Sequence, residues 1–101
     1  MSSTETVQIR SSSFRGMRRP NPVFSPEYEV IRSIVVTSRV RAGMTQRTLA
    51  KRLGKSNSHV SLIERGQRRI DCLELYKIAQ ALSMDPEVLF REIAESLKSA
   101  A

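Results

Sequence analysis

The sequence has little of the chemistry on which many small enzymes and secreted domains depend. It contains one cysteine, Cys72, one histidine, His59, and no tryptophan. A single cysteine excludes an internal disulfide framework and a cysteine-rich zinc site, and a single histidine argues against a histidine-based metal site or catalytic triad. The chain also has no phosphate-binding glycine loop and no nucleophile beside a base, so an enzyme is the least favoured class. We expect neither a metal nor a cofactor.

Long apolar segments are also absent. No stretch approaches the roughly 18 apolar residues of a transmembrane helix, and the first twenty residues lack the apolar centre of a secretory signal. A chain of 101 residues is long enough for one small domain. We therefore expect a single cytoplasmic domain with no membrane partner.

Positive charge is abundant and unevenly distributed. The 17 Lys+Arg exceed the 10 Asp+Glu, giving a formal net charge of +7. Counting charges by segment gives +8 for residues 1–55, +2 for residues 56–70 and −3 for residues 71–101, which sum to +7. This asymmetry favours a protein with one side facing nucleic acid and one side facing away. A solvated surface with a chance bias and an adaptor that docks on an acidic protein stay open as alternatives.

Residues 1–25 differ in composition from the rest of the chain. They are rich in serine and arginine, and their few apolar residues follow no period. Such a composition cannot offset the entropy lost on ordering, so we predict a flexible, mostly disordered Arg/Ser-rich arm. Its arginines are separated by small or turn residues, as in arms that enter a minor groove; the alternative is a tail that only raises the net charge. The candidate minor-groove residues are Arg15, Arg18 and Arg19.

Residues 26–101 carry the end signals and the apolar periodicity of five short helices. The predicted N-caps, in chain order, are Ser25, Thr45, Ser56, Asp71 and Asp85. The first three helices are predicted to end at Gly43, Gly54 and Gly66. Asp71 and Glu74, three residues apart, resemble a capping box at the start of the fourth helix. Short helices joined by short polar breaks predict an all-α fold.

The second and third helices, separated only by residues 54–56, form a predicted helix-turn-helix. Gly54 permits the positive φ that the turn needs. If Val60 and Ile63 face the core, the other faces of the third helix present mostly short, polar side chains. The residues on those faces are Asn57, Ser58, Ser61, Leu62 and Arg65. Such a surface suits the major groove, where asparagine can bridge adenine and arginine can bridge guanine.

The segment AGMTQRTLAKRLGKSNSHVSLIERGQRRIDCLELYKIAQALSMDP resembles the lambda-repressor-like regulators of the XRE family. The resemblance covers about residues 28–90, where caps, turn glycine and core spacing match together. It implies a compact five-helix DNA-binding domain whose third helix reads the major groove. It further implies an ion pair between Arg39 and Glu64. Two departures are the Arg-rich arm, longer than in many members, and Ser83, which stands where a helix-ending glycine is common.

The resemblance also implies roles for individual residues of the motif. It places Asn57, Ser58 and Leu62 at base-reading positions, Gln46 at a phosphate-binding position, and residues 66–69 in a loop that touches the DNA backbone. With Ser61 added from its position on the helix, the predicted base contacts are Asn57, Ser58, Ser61 and Leu62. The predicted phosphate contacts are Thr45, Gln46, Arg47, Lys55, His59, Arg65, Arg68 and Arg69. The alternative is that the motif is a packing unit and that its arginines form a solvated turn.

The last helix carries more apolar residues than its own docking requires. One recognition helix reads too few base pairs to single out a genomic site, so we expect a second copy related by a twofold axis. We predict that residues 26–101 form the helix-turn-helix domain and that its last helix mediates dimerisation. Leu89 and Ile93 are expected to face inward and Phe90 and Leu97 outward. The predicted dimer interface contains Phe90, Ile93 and Leu97.

These observations favour a sequence-specific regulator of transcription that binds double-stranded DNA. The most direct form is a repressor that binds a palindromic operator as a homodimer, in the cytoplasm and associated with the nucleoid. The alternative is an antitoxin, in which the same domain binds operator DNA and a toxin protein. Its additional partner surface is then the arm or the acidic C-terminal part.

Overall fold

The computed structural model of the chain describes residues 25–100 and has five α-helices and no strand over that range. The helices are α1 (Pro26–Arg41), α2 (Gln46–Leu53), α3 (Asn57–Glu64), α4 (Cys72–Ala81) and α5 (Pro86–Ala100). The all-α, five-helix fold expected from the sequence is therefore confirmed. The arm assigned to residues 1–25, with Arg15, Arg18 and Arg19, lies outside the described residues except for Ser25.

Side-chain caps set where the helices begin. In α1 to α4 the N-cap side chain accepts a hydrogen bond from the backbone N–H three residues later, satisfying a donor that the helix leaves unpaired. At α5, Asp85 Oδ1 accepts from the Glu87 N–H at 2.9 Å. The capping box expected at α4 is only half formed. Asp71 caps the Glu74 N–H, but the Glu74 carboxylate bonds His59 instead of the cap backbone.

Four turns within residues 25–100 have a left-handed backbone, three of them at glycines and one at Ser83. Gly54 ends α2 with φ of +70°, and a Cβ built there meets nothing within 4 Å. The requirement for glycine in the helix-turn-helix therefore comes from the backbone angle and not from lack of room. After α4, Ser83 takes φ of +59°, so this serine adopts the conformation that glycine supplies more easily.

The helices enclose two groups of buried side chains. α1 packs on α3 and α5, α2 on α3 and α4, and α4 on α5. The first group lies between the first four helices and consists of Val35, Leu49, Ala50, Val60, Ile78 and Leu82. The second lies between α4 and α5 and consists of Ala79, Leu89 and Ile93. Because Val60 and Ile63 of α3 are both buried, the orientation of α3 about its own axis is fixed by the core.

Three of the four apolar residues of α5 that were assigned a side from the sequence face that side, and Leu97 does not. Leu89 and Ile93 are buried, whereas Phe90 is 58% exposed. Leu97 is half-buried and packs against the second group. Ile93 is only 1% exposed, so its assignment to the dimer interface is corrected: its side chain is already covered within the monomer.

Candidate nucleic-acid interface

The exposed side of α3 lies opposite its core side. The four residues predicted to contact bases share this side, and we call them the reading face: Asn57, Ser58, Ser61 and Leu62. Asn57 and Ser58 are exposed, and Ser61 and Leu62 are half-buried. The two exposed side chains of the reading face therefore stand in the first turn of the helix, the end from which recognition helices contact base edges.

The chain on either side of the reading face is strongly basic. Residues 45–70 contain a single acidic side chain, Glu64, and it is buried. The exposed basic residues of this stretch are Arg47, Lys51, Arg52, Lys55, Arg65, Arg68 and Arg69. No carboxylate on the exposed surface of residues 45–70 repels phosphate, so this surface is electrostatically suited to a DNA backbone.

Glu64 is held at the centre of a hydrogen-bond network between three helices. Arg39 of α1 donates to it through two nitrogens, from Nε to Oε2 at 2.6 Å and from Nη2 to Oε1 at 3.0 Å. The third donor of this guanidinium, Nη1, bonds the Met44 carbonyl oxygen at 2.6 Å. This is the ion pair that the family resemblance implies, in the forked geometry that arginine and carboxylate favour. The bond to Met44 extends the pair to the loop before α2.

Two predicted phosphate contacts at the start of α2 have protein partners. Gln46 Nε2 donates to Glu64 Oε1 at 2.9 Å, which ties α2 to α3. An amide nitrogen carries two hydrogens, so one N–H remains available for a phosphate oxygen. Thr45 Oγ1 accepts from the Thr48 N–H at 3.0 Å and serves as the N-cap. Their phosphate roles stay predictions.

His59 is turned away from the reading face. Its Nε2 lies 2.5 Å from Glu74 Oε2, and the two side chains are only 13% and 14% exposed. The imidazole therefore links α3 to α4 from a half-buried position. A phosphate contact by His59 stays a prediction, and it requires the imidazole ring to bond a phosphate and Glu74 at the same time.

The loop after α3 is attached to α1 by residues that the sequence analysis did not single out. Tyr28 and Arg32 contact the two ends of this loop, at Ile70 and Glu64. Arg32 also pairs with Glu29, three residues before it, and this hydrogen-bonded pair lowers the pKa of the Glu29 carboxyl from its ordinary value. The i, i+3 spacing of Glu29 and Arg32 on a helix is a pattern in the sequence that indicates their ion pair. The contacts from Tyr28 and Arg32 to the loop join distant segments and have no local signature.

The part of the chain that the structure describes has neither a group of metal ligands nor a membrane-spanning helix. Among residues 25–100, no three His, Cys, Asp or Glu side chains are grouped so that they could hold a metal ion. Over the same residues, no helix has both the length and the apolar character needed to cross a membrane.

Comparison with known families identifies the motif. A helix-turn-helix family model matches residues 38–89, which include α2, α3, α4 and the turns between them. An uncharacterized HTH-type transcriptional regulator of Mycobacterium tuberculosis is 40% identical over 58 residues, which are 57% of this chain and 41% of that protein. The chain therefore spans less than half the length of this curated relative.

Solved structures share the fold. An XRE-family-like protein from Pseudomonas syringae pv. tomato is 31% identical with a TM-score of 0.65, over 69% of this chain and 85% of that chain. The restriction-modification controller protein C.Esp1396I, solved as a tetramer in complex with its natural 35 base-pair operator, is 24% identical with a TM-score of 0.67, over 73% of this chain and 97% of that chain. The family match, the five-helix architecture and the solved relatives agree: the chain belongs to the XRE family of DNA-binding helix-turn-helix transcriptional regulators.

Proposed function

We propose that this chain is a sequence-specific transcriptional repressor that binds a palindromic operator as a homodimer, in the cytoplasm and on nucleoid DNA. The observation that carries the proposal is the two-sided construction of α3. Its core side, with Val60 and Ile63, is buried, and its first turn presents Asn57 and Ser58 to solvent. Basic residues surround this turn in sequence, and Glu64, the one acidic residue within residues 45–70, is paired and buried. Repression follows in the simplest case from occupation of a promoter.

Asn57 is proposed to read a base. An asparagine in the first turn of a recognition helix can bond the N6 and N7 of adenine together. Asn57→Ala is expected to weaken binding to the operator by about 1–3 kcal/mol and to relax preference at one base pair. Selection of bound fragments from the source genome identifies the operator. Fluorescence anisotropy on that duplex and on a scrambled duplex then measures the difference.

Arg68→Ala is the matched control for Asn57→Ala. Arg68 is exposed in the loop after α3, and its proposed partner is a phosphate, which every sequence presents. This control is expected to weaken binding to the operator and to the scrambled duplex by the same factor. An equal loss for both duplexes in Asn57→Ala would show that Asn57 does not read a base.

The proposed dimer is formed through α5. Phe90 is a large, exposed aromatic residue, and Ala94 and Leu97 follow it at i+4 and i+7, on the same side of the helix. Ile93 lies in the core, so the interface is now assigned to Phe90 and the accessible part of Leu97. A twofold pair doubles the length of DNA that is read. The fold shared with an operator-bound tetrameric controller protein is in keeping with such an assembly.

The arm is proposed to enter the minor groove through Arg15, Arg18 and Arg19. Deletion of residues 1–20 removes these arginines together with Arg10 and leaves all of α1 to α5 in place. Each phosphate contact that is lost should reduce the slope of log K against log salt by up to about 0.9. We expect a shallower slope in a salt titration of the shortened chain. An unaltered slope would show that the arm does not bind DNA.

A further inference from the structure

Three arginines follow the recognition helix within a very short stretch of chain. Arg65, Arg68 and Arg69 are all exposed and lie in residues 65–70, which we call the basic loop. Like charges at this spacing repel one another. Among its residues only Gly66 is buried, and Ile70 is half-buried, so few apolar contacts of its own hold the loop in one shape. A fixed conformation therefore depends on contacts from outside the loop.

Arg32 of α1 holds the first end of the basic loop. Its Nη1 donates to the backbone carbonyl of Glu64, the last residue of α3, at 2.7 Å. Glu29 fixes this guanidinium from the other side, accepting from Nη2 at 2.7 Å and from Nε at 3.1 and 3.2 Å. The carbonyl groups in the last turn of a helix lack partners within the helix, and a cation there also meets the negative end of the helix dipole. Backbone bonds from the Gly66 and Gln67 N–H groups close the end of α3, and Arg32 adds a side-chain bond from α1 at the point where the chain leaves the helix.

Tyr28, one helical turn before Arg32, holds the second end. Its hydroxyl oxygen accepts a hydrogen bond from the Ile70 N–H at 2.7 Å. The guanidinium carbon of Arg69 lies 5.5 Å from the centre of the same ring, within cation–π distance. One tyrosine thus contacts both the backbone of the loop and one of its three arginines.

We propose that Tyr28 and Arg32, which lie outside the helix-turn-helix, are positioning residues that order the basic loop before DNA binds. The inference rests on the proposed DNA-binding function. A loop that must be ordered on binding loses conformational entropy at that moment, and this loss weakens the complex. By bonding Glu64 and Ile70, α1 fixes both ends of the segment that carries the three arginines. The loop then meets the DNA backbone already in shape.

Tyr28→Phe tests the inference because it removes only the hydroxyl and keeps the ring under Arg69. Without the hydrogen bond from the Ile70 N–H to Tyr28, the loop is less ordered in the free protein. Ordering it on binding is then expected to weaken DNA binding by about three- to tenfold. Since the bound loop still reaches the same phosphates, the slope of log K against log salt should stay at the wild-type value. In the free protein, the amide of Ile70 should exchange its hydrogen faster than in wild type, by NMR.

Tyr76→Phe is the matched control. Tyr76 is the other tyrosine of the chain, and its hydroxyl, on α4, is bonded by Gln80 at 3.3 Å and not by the loop. This variant should bind DNA as wild type does. Arg32→Gln, which removes the hold on Glu64, should weaken binding in the same direction as Tyr28→Phe. Arg69→Ala, in contrast, should reduce the salt slope because a phosphate contact is removed.

Each alternative outcome overturns the inference in a recognisable way. Faster exchange at Ile70 with wild-type affinity for DNA would assign the Tyr28 hydroxyl to folding alone. A salt slope in Tyr28→Phe as shallow as that of Arg69→Ala would show that the loop fails to reach the backbone even when bound. If the wild-type chain bound no duplex, the proposed function would fail with the inference, whereas wild-type binding combined with an unaffected Tyr28→Phe would overturn the inference alone.

Discussion

Arg39→Ala is expected to destabilise the domain by about 3–5 kcal/mol, because it leaves the buried carboxylate of Glu64 without its counter-charge. The two side chains of the pair are only 14% and 6% exposed, so the carboxylate is largely shielded from water. The same substitution also removes the bond to the Met44 carbonyl. For a domain of this size, about 1 kcal/mol corresponds to a shift in melting temperature of about 4–8 °C. Thermal unfolding followed by circular dichroism should therefore show a fall of more than about 12 °C.

Arg41→Ala provides the comparison for Arg39→Ala. Arg41 lies on the same helix, two residues further on, and is exposed, so its removal should change the stability by less than about 0.5 kcal/mol. Replacing both members of the pair, as in Arg39→Met with Glu64→Leu, should recover part of the loss because no unpaired charge then remains. Equal melting temperatures for Arg39→Ala and Arg41→Ala would refute the stabilising role of the buried pair.

Phe90→Ala is expected to convert the proposed dimer into folded monomers. An aromatic residue at the centre of an interface contributes about 2 kcal/mol or more, and a twofold axis counts it twice. About 4 kcal/mol corresponds to a roughly thousandfold rise in the dimer dissociation constant. Because Phe90 is 58% exposed in the monomer, the five-helix fold should keep its stability. Light scattering combined with circular dichroism measures the assembly and the fold on the same sample.

Leu73→Ala tests whether any exposed apolar residue gives the same result. Leu73 is 61% exposed on α4, comparable to Phe90 but on a different helix. This control should leave the dimer unchanged. If Phe90→Ala stayed dimeric, or if the wild-type chain were monomeric at micromolar concentration both alone and on DNA, the proposed α5 interface would be wrong.

Much of the fold could be predicted because its determinants are local. A cap residue satisfies backbone donors within its own helix, and this is why Ser56 and Asp71 located the starts of α3 and α4. Helical periodicity likewise identified Leu89 as a core residue. Apolar spacing alone does not decide burial at the end of α1, where Ala42 continues the spacing of the helix but is the exposed C-cap.

The interactions around the reading face could not be predicted in the same way. Tyr28 and Ile70 are 42 residues apart, and His59 and Glu74 are 15 apart, so their contacts exist only once the helices have packed. For Glu74 the capping-box spacing predicted the wrong partner. The rule pairs the Glu74 carboxylate with the backbone N–H of Asp71, but in the structure this carboxylate bonds the half-buried His59. The ion pair of Arg39 with Glu64 came from the family resemblance and has no local pattern of its own.

The division of α3 into a core side and an exposed first turn also bears on how such a domain can diverge. Val60 and Ile63 hold the helix in place, while Asn57 and Ser58 are exposed to solvent. Exposed positions of this kind tolerate substitution at a cost within about 0.5 kcal/mol. After gene duplication, one or two changes in the first turn of α3 could give a copy a new operator without compensating changes in the core. The residues that select the DNA target can then change while the residues that maintain the fold stay the same.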